Sequence, residues 1–139
     1  MRVSFACLWV AGLAMSVPST AHHSLNATYV LDQQQVLRGT VKDFLVRNPH
    51  SFIVLNAPDQ YSQMQVWQVE WLAAGLLSSQ GIHQGTLLPD DELEITIAPG
   101  KDPMRHRGLV KILRKRSNGF EWGTKPGEVV PNWDALSRR

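Results

Sequence analysis

The sequence predicts a mainly β protein, a five-stranded OB-like Greek-key barrel with one short helix between strands 3 and 4. Three observations predict it. The apolar patterning gives strand, strand, strand, helix, strand, strand in that order. The first strand changes facing parity in its middle, so it must bend. The helical spacing falls between the third and fourth strands. A β-sandwich or an open α+β roll would have similar strand content, but the bend and the helix position favour the barrel.

The 139-residue chain opens with "MRVSFACLWVAGLAMSVPSTA". A basic start at Arg2, an apolar run from Phe5 to Met15 and small residues at Ser19-Thr20-Ala21 form the three-part layout of a secretory signal, residues 1–21. The run is shorter than the roughly 20 residues that a membrane span needs. Cleavage after Ala21 leaves 118 residues, enough for one domain with its own core. Cys7 leaves with the signal, so the mature chain carries no disulfide, thiol nucleophile or cysteine zinc site. The formal charge of +2 falls to about +1, too balanced to indicate a polyanion partner.

Residues 22–35 are polar and weakly patterned and read as an extended N-terminal arm. The barrel is expected over 36–122. In "VLRGTVKDFLV", Leu37, Gly39 and Val41 share one parity while Phe44 and Val46 share the other. That switch requires a bulge near Lys42-Asp43, and Gly39 permits a tight bend. "RNPHS" is a turn and "SFIVLNA" the second strand. "QVWQVEW" alternates cleanly, Trp67, Val69 and Trp71 on one face, Gln68 and Glu70 on the other. "LAAGLLSSQGI" has helical spacing at Leu72, Leu76 and Leu77, with Gly81 placed as a C-terminal cap. "ELEITIA" and "LVKILRKR" are the fourth and fifth strands, joined by the loop "PGKDPMRHRG", and "FEW" is a short continuation. Residues 123–139, with Pro126, Gly127 and Pro131, read as a C-terminal tail that Trp133 and Leu136 could pin to the body.

The order of several short motifs carries a resemblance. "AHHS" at the mature start, "G-T-V" in the first strand, "NPH" in the next turn, "W-x-x-E" at Trp67 and Glu70 and a "P-x-K-D" loop in "APGKDP" occur in sequence across most of residues 21–115. In this the chain resembles a family of small exported bacterial proteins of unknown function. It departs from that pattern with "PDD" in place of a "PGD" turn and in its tail after Trp122. The resemblance implies export and a small β-barrel, and it implies no reaction.

All five histidines lie in the mature part. Neutral imidazole suits copper and zinc. Cleavage after Ala21 would make His22 residue one, whose amine and imidazole can chelate Cu(II) together, with a second imidazole completing the site. Cleavage one residue earlier would give Ala-His-His, with histidine third, a square-planar copper or nickel arrangement. In an OB barrel the loops joining strands 1–2 and 4–5 lie on the binding side, which places His50 and His106 on one rim. The candidate metal residues are therefore His22, His23, His50 and His106, with copper as the candidate cofactor. Asn48, Glu70 and Trp67 are candidate ligand-binding residues beside them.

Each has a plainer role. His22 and His23 can mark only a cleavage junction. His50 can fasten the Asn-Pro turn, His106 can be a surface loop residue and Glu70 can pair with a neighbouring cation. Trp67 can be packing. Arg105, Arg107, Arg114, Lys115 and Arg116 form a candidate interaction surface for an envelope protein or an anionic envelope surface. The same charges also suit a solvated edge strand guarded against aggregation. Export removes nucleic acid as a partner. No nucleophile elbow, H-E-x-x-H helix or phosphate loop occurs, so the sequence points to a periplasmic binding module without a catalytic motif. Its ligand is a small molecule or a metal, and protein or envelope interaction is the alternative.

Overall fold

The computed structural model describes residues 25–124. The signal segment, His22, His23 and most of the tail, with Trp133 and Leu136, lie outside the described residues. A single turn of helix, α1 (Leu25–Thr28), precedes β1 (Gln35–Leu45), β2 (Phe52–Pro58) and β3 (Met64–Glu70). Helix α2 (Ala74–Ser79) leads to β4 (Glu92–Pro99), then a 3-10 turn (Pro103–Arg105), β5 (Arg107–Lys115) and β6 (Glu121–Trp122).

The sheet runs β3-β2-β1-β4-β5-β6, and a parallel pairing of β3 with β5 closes the first five strands into a barrel. This is the expected OB-like architecture, with its helix between β3 and β4. No helix among the described residues is long and apolar enough to cross a membrane.

Strand β1 makes closure possible by serving two neighbours. Its first half, from Gln35 to Thr40, pairs with β4, and its second half, from Thr40 to Leu45, pairs with β2. The register shifts between Val41 and Asp43, the expected bulge. Leu37 and Val41 point inward before it and Phe44 after it, so the parity switch in the sequence becomes a bend around one core. At Gly39 a Cβ would stand 2.1 Å from the Asn56 carbonyl oxygen. Only glycine lets the β2 backbone cross that closely.

The core follows strand alternation. Ile53, Leu55 and Ala57 enter from β2, Trp67 and Val69 from β3, and Leu93, Ile95 and Ile97 from β4. Trp71 continues the β3 parity and meets Trp122 edge-on at 5.2 Å and Phe44 at 5.9 Å. The Trp122 indole N–H donates to Gln80 Oε1 at 2.7 Å, fixing β6 beside the end of α2. Leu72, Leu77, Ile82 and Leu87 bury the apolar side of the helical connection, and Gly81 takes the left-handed conformation (φ 75°) expected after the helix. Leu76, expected with Leu72 and Leu77 on the helix face, is 52% exposed. The helix is only six residues long, and Leu77 alone of its residues is buried.

The N-terminal arm is not simply extended. After α1, Tyr29 bridges to Gly100, the Val30 N–H donates to the Pro99 carbonyl at 2.9 Å, and the Lys101 N–H donates to the Thr28 carbonyl at 2.9 Å. Tyr29 and Leu31 are buried, each burial stabilising by about 2 kcal/mol. The short apolar run Tyr29-Val30-Leu31 between polar stretches is too brief to show a period, which is why the sequence reads as an extended arm. Strand β5 begins at Arg107, two residues before the expected Leu109, because its start pairs with β3 as well as with β4.

Candidate ligand-binding site

Alternation along β2 and β3 that sends one set of side chains into the core sends Phe52, Val54, Gln68 and Glu70 outward. The β1–β2 loop overhangs this outer face. Ser51, fully buried, fixes the loop: its backbone N–H donates to the Leu72 carbonyl at 3.0 Å and its carbonyl accepts from the Trp71 N–H at 2.8 Å. Its hydroxyl also accepts from the Arg47 N–H at 3.2 Å. The Asn48–Pro49 peptide is cis. Leu25, Thr28 and Tyr29 form a second wall and Arg107, at the start of β5, a third, enclosing a cleft of ≈ 590 Å³. Its place on the strand 2–3 face beside the first loop is where OB barrels seat ligands.

Glu70 organises the floor of the cleft. The Tyr29 hydroxyl donates to Glu70 Oε2 at 2.5 Å, and His50 Nδ1 lies 2.9 Å from Glu70 Oε1. Burial, then the hydrogen bond to Glu70 and its negative charge, push the Tyr29 phenol far above its ordinary value, with Arg107 opposing. Glu70 is 13% exposed in its side chain and His50 43%. The carboxylate thus spends one oxygen on each partner, and His50 keeps Nε2 as its second nitrogen. The plainer roles hold with other partners. Glu70 pairs with a phenol and an imidazole rather than a lysine or arginine, and Nδ1 of His50 meets a carboxylate rather than a turn carbonyl.

His106 and Trp67 belong to a different cleft, of ≈ 330 Å³, lined also by Asp59, Gln65, Tyr61 and Met104. His106 adopts a left-handed conformation (φ 46°) after the 3-10 turn. Its ring meets Trp67 edge-on at 5.2 Å, and Nε2 stands 3.9 Å from Asp59 Oδ2. The Gln63 N–H, followed by those from Tyr61 and the Gln65 amide, holds the Asp59 carboxyl below the usual carboxylate range against a partial desolvation. Trp67 faces inward and donates its indole N–H to the Ala57 carbonyl at 3.2 Å, which makes it a packing residue. Asn48, His50 and Glu70 therefore come together, while Trp67 and His106 line the second cleft; Arg107 borders both. No three histidine, cysteine, aspartate or glutamate side chains among the described residues converge to hold a metal.

Most of the basic surface is neutralised locally. Arg105 meets Asp102 at 3.1 Å, Arg114 meets Glu121 at 3.2 Å and Glu94 at 3.4 Å, and Arg116 meets Glu92 at 3.5 Å. Lys115 does not belong to an interaction surface. It shares the inward parity of Leu113, its side chain is 8% exposed, and its ammonium lies 2.6 Å from Asp91. Partial burial raises the Asp91 carboxyl, but the Leu88 N–H and Lys115 outweigh it and hold the group below the ordinary range.

Sequence reasoning missed Tyr29, Arg47, Phe52 and Val54 as cleft residues. The unbroken apolar run "FIVL" in the second strand hinted that both of its faces carry apolar side chains, and nothing local marked Tyr29. The model of a family of unknown function, DUF6152, matches residues 11–110, and the chain belongs to that family. The family resemblance carried by the short motifs is thereby borne out. No curated protein and no solved structure matches the chain.

Proposed function

We propose that the protein is an exported, periplasmic binding module that seats a small ligand in the cleft over the outer face of β2 and β3. Export rests on the three-part N-terminus. The binding reading rests on one observation above the rest: Tyr29, His50 and Glu70, from three separate segments, meet at the floor of a cleft on the OB ligand face, the phenol by a hydrogen bond and the imidazole nitrogen at 2.9 Å from the carboxylate. The cleft volume falls within the range of small-molecule sites, and it mixes apolar walls from Leu25, Phe52 and Val54 with a few fixed polar groups.

A transition metal such as copper is a second reading of the same place. The Glu70–His50 bond favours it, because a carboxylate on one imidazole nitrogen orients the other for metal binding. Further donors would come from His22 and His23, two and three residues before Leu25, itself a cleft residue. Two arginines lining the same cleft oppose a bare cation.

Native mass spectrometry of the protein recovered from the periplasm of its host tests the proposal. A start at His22 and a bound small-molecule mass that disappears in Val54→Trp, which fills the cleft, are the expected outcome. Retention of one copper ion, lost in His50→Ala, would favour the metal reading. A protein that stays in the cytoplasm with its signal uncleaved would sink export.

A further inference from the structure

The arginines of the barrel divide by partner. Among the described residues, Arg38, Arg105, Arg114 and Arg116 each lie against a carboxylate. Arg47 and Arg107 meet none among the described residues, and both line the cleft beside Glu70. The one carboxylate in that lining, Glu70, holds the Tyr29 hydroxyl on one oxygen and has His50 Nδ1 beside the other. The cleft thus sets two guanidinium groups against a single carboxylate, itself engaged by Tyr29 and His50, and its lining carries an excess of positive charge.

The Arg47 guanidinium is held by a ring, and Arg107 is placed by its strand. Arg47 lies over the Phe52 ring at 4.9 Å. A cation–π contact with a ring uses none of the guanidinium's N–H donors on an oxygen and leaves them for an acceptor. Arg107 opens β5, its backbone placed by pairing with Gln68 of β3. The side-chain amides of Asn48 and Gln68 add neutral donors to the same lining. Such a donor set matches a carboxylate or phosphate head, for which arginine supplies paired, charge-assisted hydrogen bonds. Leu25 and Val54 supply an apolar wall on which a hydrocarbon or ring portion can rest. A metal cation or an amine would meet the same two positive charges as repulsion.

The geometry points to a small amphiphilic anion as the ligand: an oxyanion head held by Arg47 and Arg107, carried on an apolar body that lies along Val54 and Leu25. The inference rests on the binding role proposed above and names the chemical class of its ligand.

The test is a titration of the ¹⁵N-labelled full mature chain, followed by amide chemical shifts, with four probes of one shape: benzoate, phenyl phosphate, benzyl alcohol and benzylamine. Saturable shifts at His50, Val54 and Gln68 with benzoate or phenyl phosphate are expected, and the stronger of the two anions identifies the head group. Arg47→Gln and Arg107→Gln should each weaken that binding about tenfold, while Arg116→Gln, whose guanidinium is paired outside the cleft, should not. Binding of both anions undiminished in both cleft variants would overturn the inference. Cleft shifts with benzyl alcohol or benzylamine but with neither anion would overturn it and leave the binding role standing. A cleft silent to all four probes would count against both. Inorganic phosphate alone, matching phenyl phosphate in affinity, would reject the apolar body.

Discussion

His50 Nδ1 and Glu70 Oε1 lie 2.9 Å apart, a bond that ties the loop between β1 and β2 to the last residue of β3. Because the carboxylate accepts and the ring nitrogen donates, the neutral imidazole should carry its proton on Nδ1. Imidazole ¹⁵N shifts recorded in mildly alkaline solution should show that tautomer dominating at His50. Glu70→Ala should return the ring to a mixture. A dominant Nε2–H form in the native protein would mean that the bond is not made in solution.

The Tyr29–Glu70 bond predicts an alkaline signature. A phenol whose folded pKa is raised keeps its proton after the unfolded chain has lost it near pH 10. Its contribution is therefore whole below that pH and shrinks by about 1.4 kcal/mol per unit above it, until the folded phenol ionises. Tyr29→Phe should cost about 2 kcal/mol at neutral pH through loss of a hydrogen bond to a charged acceptor. The gap between native and variant in urea unfolding should narrow between pH 9 and pH 11. A constant gap would show that Tyr29 ionises alike in both states.

Lys115 and Asp91 make the most buried ion pair in the barrel wall among the described residues. Lys115→Met leaves the Asp91 carboxylate without its cation, and we expect a loss of about 3 kcal/mol at pH 7. The Asp91 carboxyl is held low in the folded state, so its stabilising share exists above the ordinary carboxylate pKa and disappears as pH falls through the lowered value. Chemical denaturation at pH 7 and pH 3 should find the cost of the substitution smaller in acid. Equal costs would assign Lys115 a packing role only.

Gly39 and Gly85 form a matched pair of alanine tests. A Cβ at Gly39 would collide with the Asn56 carbonyl, whereas nothing lies within 4 Å of one at Gly85. Gly39→Ala should cost about 3 kcal/mol or more or prevent folding; Gly85→Ala should stay within about 0.5 kcal/mol. Similar melting temperatures for the two would refute the close crossing of β1 and β2.

The barrel was legible because its evidence is periodic. The parity switch between Val41 and Phe44, the alternation of Trp67, Val69 and Trp71 and the glycine at position 81 each impose a geometry that the chain alone dictates. The site was legible only in part. The loop containing Asn48 and His50 could be placed on the binding side from topology, and Glu70 could be aimed outward from its parity. The same parity rule aims Trp67 inward, away from Glu70, so the two could never share one face. The partners of Glu70 were hidden because Tyr29 lies 41 positions away in a segment without a pattern. Lys115 looked like a surface charge because a basic run reads as solvated, whereas the half-buried Asp91 and the Thr86 carbonyl opposite make its inward position tolerable.

The parallel ladder that closes the barrel consists of Gln68 with Arg107, Val69 with Gly108 and Glu70 with Leu109. Gln68 and Glu70 on one strand and Arg107 on the other also line the cleft. The seam of the barrel therefore runs beneath the cleft. A molecule that grips both strands acts as a clasp, and its binding free energy adds to the work of opening the seam. Occupancy would then be written into the amides of the seam itself: exchange with solvent at Glu70 and Gly108 should slow when the cleft is filled, though Gly108 has no side chain to touch what fills it.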